Sequence, residues 1–65
     1  MTRNEFVQRF VDHCVQSCGF TNFDDGESVA DYALSVAGSY WDDEDRRADG
    51  PEDCADEDIS YWGES

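Results

Sequence analysis

Lysine is absent from this chain, and four arginines and one histidine stand against 17 aspartates and glutamates. That shortage of cations excludes a surface built to hold phosphate. DNA, RNA and anionic membranes are all repelled by a formal net charge of −13. Long apolar runs are missing too. Met1-Thr2-Arg3-Asn4-Glu5 leads into mixed residues rather than the apolar core of a signal peptide, and no run approaches membrane-spanning length. A soluble, cytoplasmic protein is therefore expected. The three cysteines are an odd number, which argues for free thiols in a reducing compartment rather than a disulfide framework. No nucleophile–base constellation is present. His13 and Cys14 are neighbours on a helical pattern, so their side chains diverge by about 100°. The many carboxylates lack the contrast of environment that acid–base work requires. The chain is read as a non-enzyme without cofactor.

What is present is acid, and it is unevenly placed. Residues 1–23 balance Arg3 and Arg9 against Glu5 and Asp12, so the whole net charge falls in residues 24–65. Its densest part, Asp42 to Asp58, holds ten acidic and two basic residues between the aromatic pairs Tyr40-Trp41 and Tyr61-Trp62. Disordered acidic tails are poor in aromatics. This stretch reads as a charged face on a folded body. At 65 residues the chain makes one domain, residues 1–65, near the lower limit for folding alone. Charge of this density opposes compaction and exceeds the magnitude of about 2–8 that suffices for solubility in a small domain. A partner of opposite sign explains the excess.

The periodicity predicts an all-α bundle of three to four short helices. Thr2-Arg3-Asn4-Glu5 fits a capping box, and Phe6, Val7, Phe10, Val11, Cys14, Val15 and Cys18 follow helical spacing to a stop at Gly19. This predicts a helix over residues 3–18. Asp24-Asp25-Gly26 marks a turn, with Phe20 and Phe23 folding back onto the first helix. Ser28 opens a second helix along Val29, Tyr32, Ala33, Val36 and Tyr40. Gly38 leaves two courses open: a helix running through it at a cost of about 1 kcal/mol, or a break. Electrostatics favours the break. With Ser39 as a new N-cap, Asp42 to Asp45 fall in the first turns and Arg46 and Arg47 at the end, as the dipole prefers. The expectation is a second helix broken or sharply kinked near Gly38, with a third over about residues 40–47. Asp42–Arg46 and Asp43–Arg47 are spaced for i,i+4 pairs. Pro51 at N1 begins a last helix over about residues 51–60, and Gly63-Glu64-Ser65 is expected to fray.

Two metal readings fail on their ligands. Cys14, Cys18, Cys54 and His13 lack the tight CxxC-type spacing and the four-ligand set of structural zinc, so the cysteines are read as small core residues. A calcium loop counted from Asp45 places Asp49, Gly50 and Asp56 acceptably. It also puts Arg47 at the third position and lacks the final glutamate.

The candidate partner-binding residues, assigned from charge and helical placement, are Asp24, Asp25, Glu27, Asp31, Asp42, Asp43, Glu44, Asp45, Asp49, Glu52, Asp53, Asp56, Glu57 and Asp58. B-DNA carries one negative charge per about 1.7 Å of axis, and helical residues three or four apart lie about 5–6 Å from one another. Rows such as Asp42–Asp45, Asp49–Asp53–Asp56 and Glu52–Asp56 present carboxylates near phosphate spacing. The segments Thr2-Arg3-Asn4-Glu5-Phe6-Val7, Phe23 to Ala33, Tyr40-Trp41-Asp42-Asp43, Pro51 to Ala55 and Tyr61-Trp62-Gly63-Glu64 resemble those of small acidic anti-CRISPR proteins of phages, most of all inhibitors of type I-C surveillance complexes. The resemblance implies a cytoplasmic inhibitor in the bacterial host. Such an inhibitor occupies the basic DNA-binding surface of the complex, where its large subunit reads the PAM, and blocks target DNA. The runner-up is a small acidic regulator that binds a basic host protein without imitating DNA. Competition with DNA separates the two. A calcium-responsive domain is a third reading.

Overall fold

Local chemistry places four helices in a computed structural model that describes residues 1–62. They are α1 (Arg3–Cys18), α2 (Val29–Asp42), α3 (Glu44–Asp49) and α4 (Pro51–Ser60). The Thr2 hydroxyl accepts the Glu5 N–H at 3.2 Å and opens α1, and Gly19 closes it in the left-handed region at φ 77°. Ser28 caps α2 by accepting the Asp31 N–H at 3.4 Å, and Pro51 occupies the first turn of α4. The expected fraying of Gly63-Glu64-Ser65 lies outside the described residues.

The boundary between α2 and α3 differs from the sequence expectation. α2 runs through Gly38, and Ser39 is not a cap; its carbonyl accepts the Asp43 N–H at 3.2 Å. The chain breaks at Asp43, whose extended backbone lets its carboxylate accept the N–H groups of Asp45 (3.0 Å) and Arg46 (3.4 Å). One aspartate side chain thus satisfies two of the orphan donors that open α3. The dipole argument for Glu44, Asp45, Arg46 and Arg47 holds with the break moved downstream. Gly38 answers to a neighbour. A methyl group there would stand 2.8 Å from a guanidinium nitrogen of Arg3. Because Arg3 is long and exposed, it can move aside. Gly38→Ala is therefore expected to stabilise the protein, by about 0.5–1 kcal/mol of helix propensity, in urea unfolding. A loss of stability in that variant would show that the Arg3 contact outweighs propensity.

α1 is the central element. Phe6, Phe10 and Cys14 are fully buried along one stripe, meeting Val29, Ala33 and Ala37 of α2 and Cys54 and Ala55 of α4. Contacts fix the directions. The start of α1 meets the end of α2 (Phe6–Trp41 rings, 5.5 Å) and its middle meets α4 (His13–Asp56, 2.6 Å), so α2 runs antiparallel to α1. The ends of α1 and α4 share one pole of the bundle, where Phe20 reaches Trp62 at 6.2 Å. α3 bridges α2 to α4 at the other pole, with Gly50 at φ 99° turning the chain between α3 and α4. That angle suits a residue without Cβ. Among the described residues, pairing of strand type is limited to one bridge, Asn22 to Ser28. No described helix is long and apolar enough to cross a membrane.

Candidate acidic interface

Twelve of the fourteen predicted contact residues are exposed: Asp24, Asp25, Glu27, Asp31, Asp42, Asp43, Glu44, Asp45, Asp49, Glu52, Asp53 and Asp56. They form two groups. Asp24, Asp25 and Glu27 lie in the turn at the shared pole of α1 and α4, with Asp31 beside them in the first turn of α2. Asp42 to Asp49 surround α3 at the opposite pole, with Glu52, Asp53 and Asp56 continuing along α4. The longest dimension of the molecule is 32 Å.

The helical rows need correction. Asp42 ends α2 and Asp45 lies in α3 beyond the extended Asp43, while Asp49 is cut off from Asp53 and Asp56 by Gly50. Regular spacing survives only within α4, as Glu52–Asp56 and Asp53–Asp56. The expected i,i+4 pairs of α3 are replaced by longer-range ones. Arg46 pairs with the half-buried Glu57 of α4, and the Arg47 guanidinium lies 4.9 Å from the centre of the Trp41 ring. Both cations of the acidic stretch are thereby drawn back onto the scaffold. Asp42, Asp43, Glu44, Asp45, Asp49, Glu52 and Asp53 have no ion-pair partner among the described residues.

Asp58, Glu57 and Asp56 of the predicted set are engaged within the fold. Asp58 is 9% exposed and is removed from any contact surface. Its carboxylate accepts the Tyr40 hydroxyl at 2.9 Å on one oxygen and the Trp62 indole N–H at 3.1 Å on the other, joining α2, α4 and the chain after α4. Composition treats every acid alike, so it assigned Asp58 to the face. A finer signal exists: Asp58 stands four residues after Cys54 and three after Ala55, on the apolar stripe of α4. Burial raises the Tyr40 phenol above its usual range, and the hydrogen bond to Asp58 and its charge add to the rise; burial and Asp58 raise Tyr32 in the same way. The Tyr40 hydroxyl stays a protonated donor to Asp58. Glu57 is occupied by Arg46, and Asp56, although exposed, is tied to His13.

The cysteines pack as core. Cys14 and Cys54 are fully buried and Cys18 partly so, all as free thiols, and no group of described residues is disposed to hold a metal. Burial pushes the Cys14 thiol up from 9.0 to about 12, with the Asp58 charge adding, and Cys54 up to about 11, with Asp49 adding. Raised folded values mean that the stabilising contribution is intact below about pH 9 and is lost as pH climbs toward 11–12. Melting temperature should therefore fall progressively above about pH 9. At about pH 8, where attack requires thiolate, a thiol reagent should modify Cys18 quickly and the other two only on unfolding. Three equally fast thiols would contradict this packing.

The turn between α1 and α2 is cross-tied by its backbone. Phe23 N–H donates to Glu27 O (2.8 Å), Gly26 N–H to Phe23 O (2.8 Å) and Val29 N–H to Thr21 O (2.9 Å), while Asp25 accepts the Glu27 N–H at 2.9 Å. Against it stand three aromatic rings. Phe23–Trp62, Phe23–Tyr32 and Tyr32–Trp62 lie 5.2, 5.5 and 5.7 Å apart, each pair within 15° of perpendicular. They line a shallow depression of about 470 Å³ rimmed by Asp24, Asp25 and Glu27. Comparison of the chain with protein-family models, curated proteins and solved structures finds no match.

Proposed function

We propose that this protein is a phage-encoded inhibitor that presents its acidic surface to the basic DNA-binding surface of a CRISPR surveillance complex, on the large subunit of a type I system, and keeps target DNA out. The observation that carries the reading is the withdrawal of Arg46 and Arg47 onto Glu57 and Trp41. It leaves the carboxylates from Asp42 to Asp53 exposed and unneutralised on a folded body. A solvated face needs no such concentration, and a net charge of −13 on 65 residues opposes compaction. Lys and Arg of a DNA groove would meet these carboxylates in charge-assisted hydrogen bonds. Attraction over a distance would speed encounter and weaken with salt.

Equilibrium competition tests the reading: purified complex, labelled target duplex and increasing inhibitor, repeated across salt. The expected result is mutual exclusion of DNA and inhibitor, with inhibitor affinity falling as salt rises. Simultaneous binding of both would replace DNA mimicry by the reading of an acidic regulator on a basic host protein.

A further inference from the structure

The depression at the shared pole of α1 and α4 differs from the rest of the acidic surface in having aromatic walls. Phe23, Tyr32 and Trp62 supply three rings in nearly perpendicular planes, and Asp24, Asp25 and Glu27 ring them with charge. The chain places none of its own cations there. Arg3 lies by Gly38, Arg9 by Glu5, Arg46 on Glu57 and Arg47 over Trp41. By contrast, the groove between α1 and α4 lined by Arg9, Asp12, His13, Gln16 and Glu52 contains basic groups of its own. Helix ends add to the field at the aromatic pole. α1 and α4 both finish there, and neither has a basic residue in its last turn, so two negative dipole ends are uncompensated. The opposing N-terminus of α2 is capped by Ser28 and has Asp31 in its first turn.

We infer that this depression receives one arginine side chain of a protein partner, its guanidinium against the Phe23–Tyr32–Trp62 rings and its N–H groups on the carboxylates of Asp24, Asp25 and Glu27. A planar guanidinium fits both halves of the site. It is weakly hydrated, lies flat on aromatic faces and donates several N–H bonds at once, whereas the lysine ammonium is a compact, strongly hydrated charge. Charge complementarity excludes an acidic occupant, and the rings distinguish the site from a bare cluster of acids. The inference deepens the reading of a basic protein partner and rests on it for the source of the arginine.

The test uses the isolated protein, labelled with ¹⁵N, at low salt. Capped peptides Gly-Arg-Gly, Gly-Lys-Gly and Gly-Gln-Gly are titrated while the Trp62 indole N–H and the backbone amides of residues 23–27 are followed. The arginine peptide should produce saturable shifts confined to that pole. Lysine should bind at least about threefold more weakly, and glutamine should not bind. The variant D24N/D25N/E27Q should weaken arginine binding by about tenfold, because charge-assisted bonds become neutral ones. An asparagine at position 25 retains the oxygen that accepts the Glu27 N–H, so the turn persists. Tyr32→Leu should weaken binding by removing a ring face; if it unfolds the protein, the carboxylate variant still decides. E44Q/D45N in α3 should leave the titration unchanged. Equal affinity for arginine and lysine, shifts of equal size over α3 and α4, or an unaffected carboxylate variant would each overturn the inference. Saturable arginine binding without DNA competition would overturn the CRISPR-groove reading alone; competition without arginine binding would overturn the pocket alone.

Discussion

Asp58→Ala is expected to lower the melting temperature by at least about 10 °C, the largest effect of any single acidic substitution in this chain. Asp58 is the acceptor for two donors, Tyr40 and Trp62, that come from different parts of the fold. Truncation leaves both without it, and each unsatisfied buried donor costs about 1–3 kcal/mol. A domain of this size is stable by roughly 3–10 kcal/mol, and each kcal/mol moves its midpoint by about 4–8 °C. Removing one negative charge relieves a little repulsion, but that gain is spread over the whole acidic surface and screened by salt. Asp58→Asn separates the two terms. Its carbonyl can accept the Trp62 N–H and its amide can donate to the Tyr40 oxygen, so about 1 kcal/mol should be lost. Thermal melts followed by circular dichroism and tryptophan fluorescence report both variants. Equal melting temperatures for wild type and Asp58→Ala would refute the role given to this carboxylate.

Under the proposed function, clustered neutralisation at the other pole should weaken inhibition by at least about 100-fold while leaving the helices intact. Glu44, Asp45 and Asp49 are exposed and make no ion pairs among the described residues, so E44Q/D45N/D49N removes charge with little effect on packing. If each carboxylate makes one charge-assisted contact, three losses of about 1 kcal/mol each multiply to that factor. A field shared among many acids predicts a different result for single changes, with no more than about fivefold lost per Asp→Asn. Asp43 is left out of the cluster because it caps α3, and Asp58 because it is structural. The readout is the half-inhibitory concentration in the DNA competition, set beside an unchanged melt. Unaltered inhibition by the triple variant would remove the α3 pole from the interface.

Local signals were legible in the sequence where one residue decides one feature. Thr2, Ser28, Gly19 and Pro51 each act on neighbours within four residues, and the helix ends they set are found where periodicity put them. The α2–α3 boundary was not legible in the same way. Ser39 and Asp43 both carry capping oxygens, and the choice between them depends on the contacts of Tyr40 and Trp41 with Phe10 and Phe6 of α1. Those rings are held when α2 continues to Asp42. Charge counting located the acidic stretch but could not divide it. Asp58 is set apart from Glu52 and Asp53 by its spacing from Cys54 and Ala55 on the apolar stripe of α4, whereas the pairing of Glu57 with Arg46 of α3 is a tertiary fact. The aromatic pole was equally hidden, since Phe23, Tyr32 and Trp62 lie far apart along the chain.

The divided roles of the acids have a consequence for mutational drift. An exposed carboxylate that acts through a shared field can be exchanged for glutamate, moved by one turn or lost with little penalty, provided the total charge persists. Asp58 has no such freedom, because its two oxygens are spaced for Tyr40 and Trp62, and one more methylene would displace both. Under the proposed function, a saturation library selected for retained inhibition should interchange aspartate and glutamate freely at positions 42, 44, 45, 49, 52 and 53. Position 58 should stay aspartate, or turn to asparagine, even where its neighbours have been rewritten.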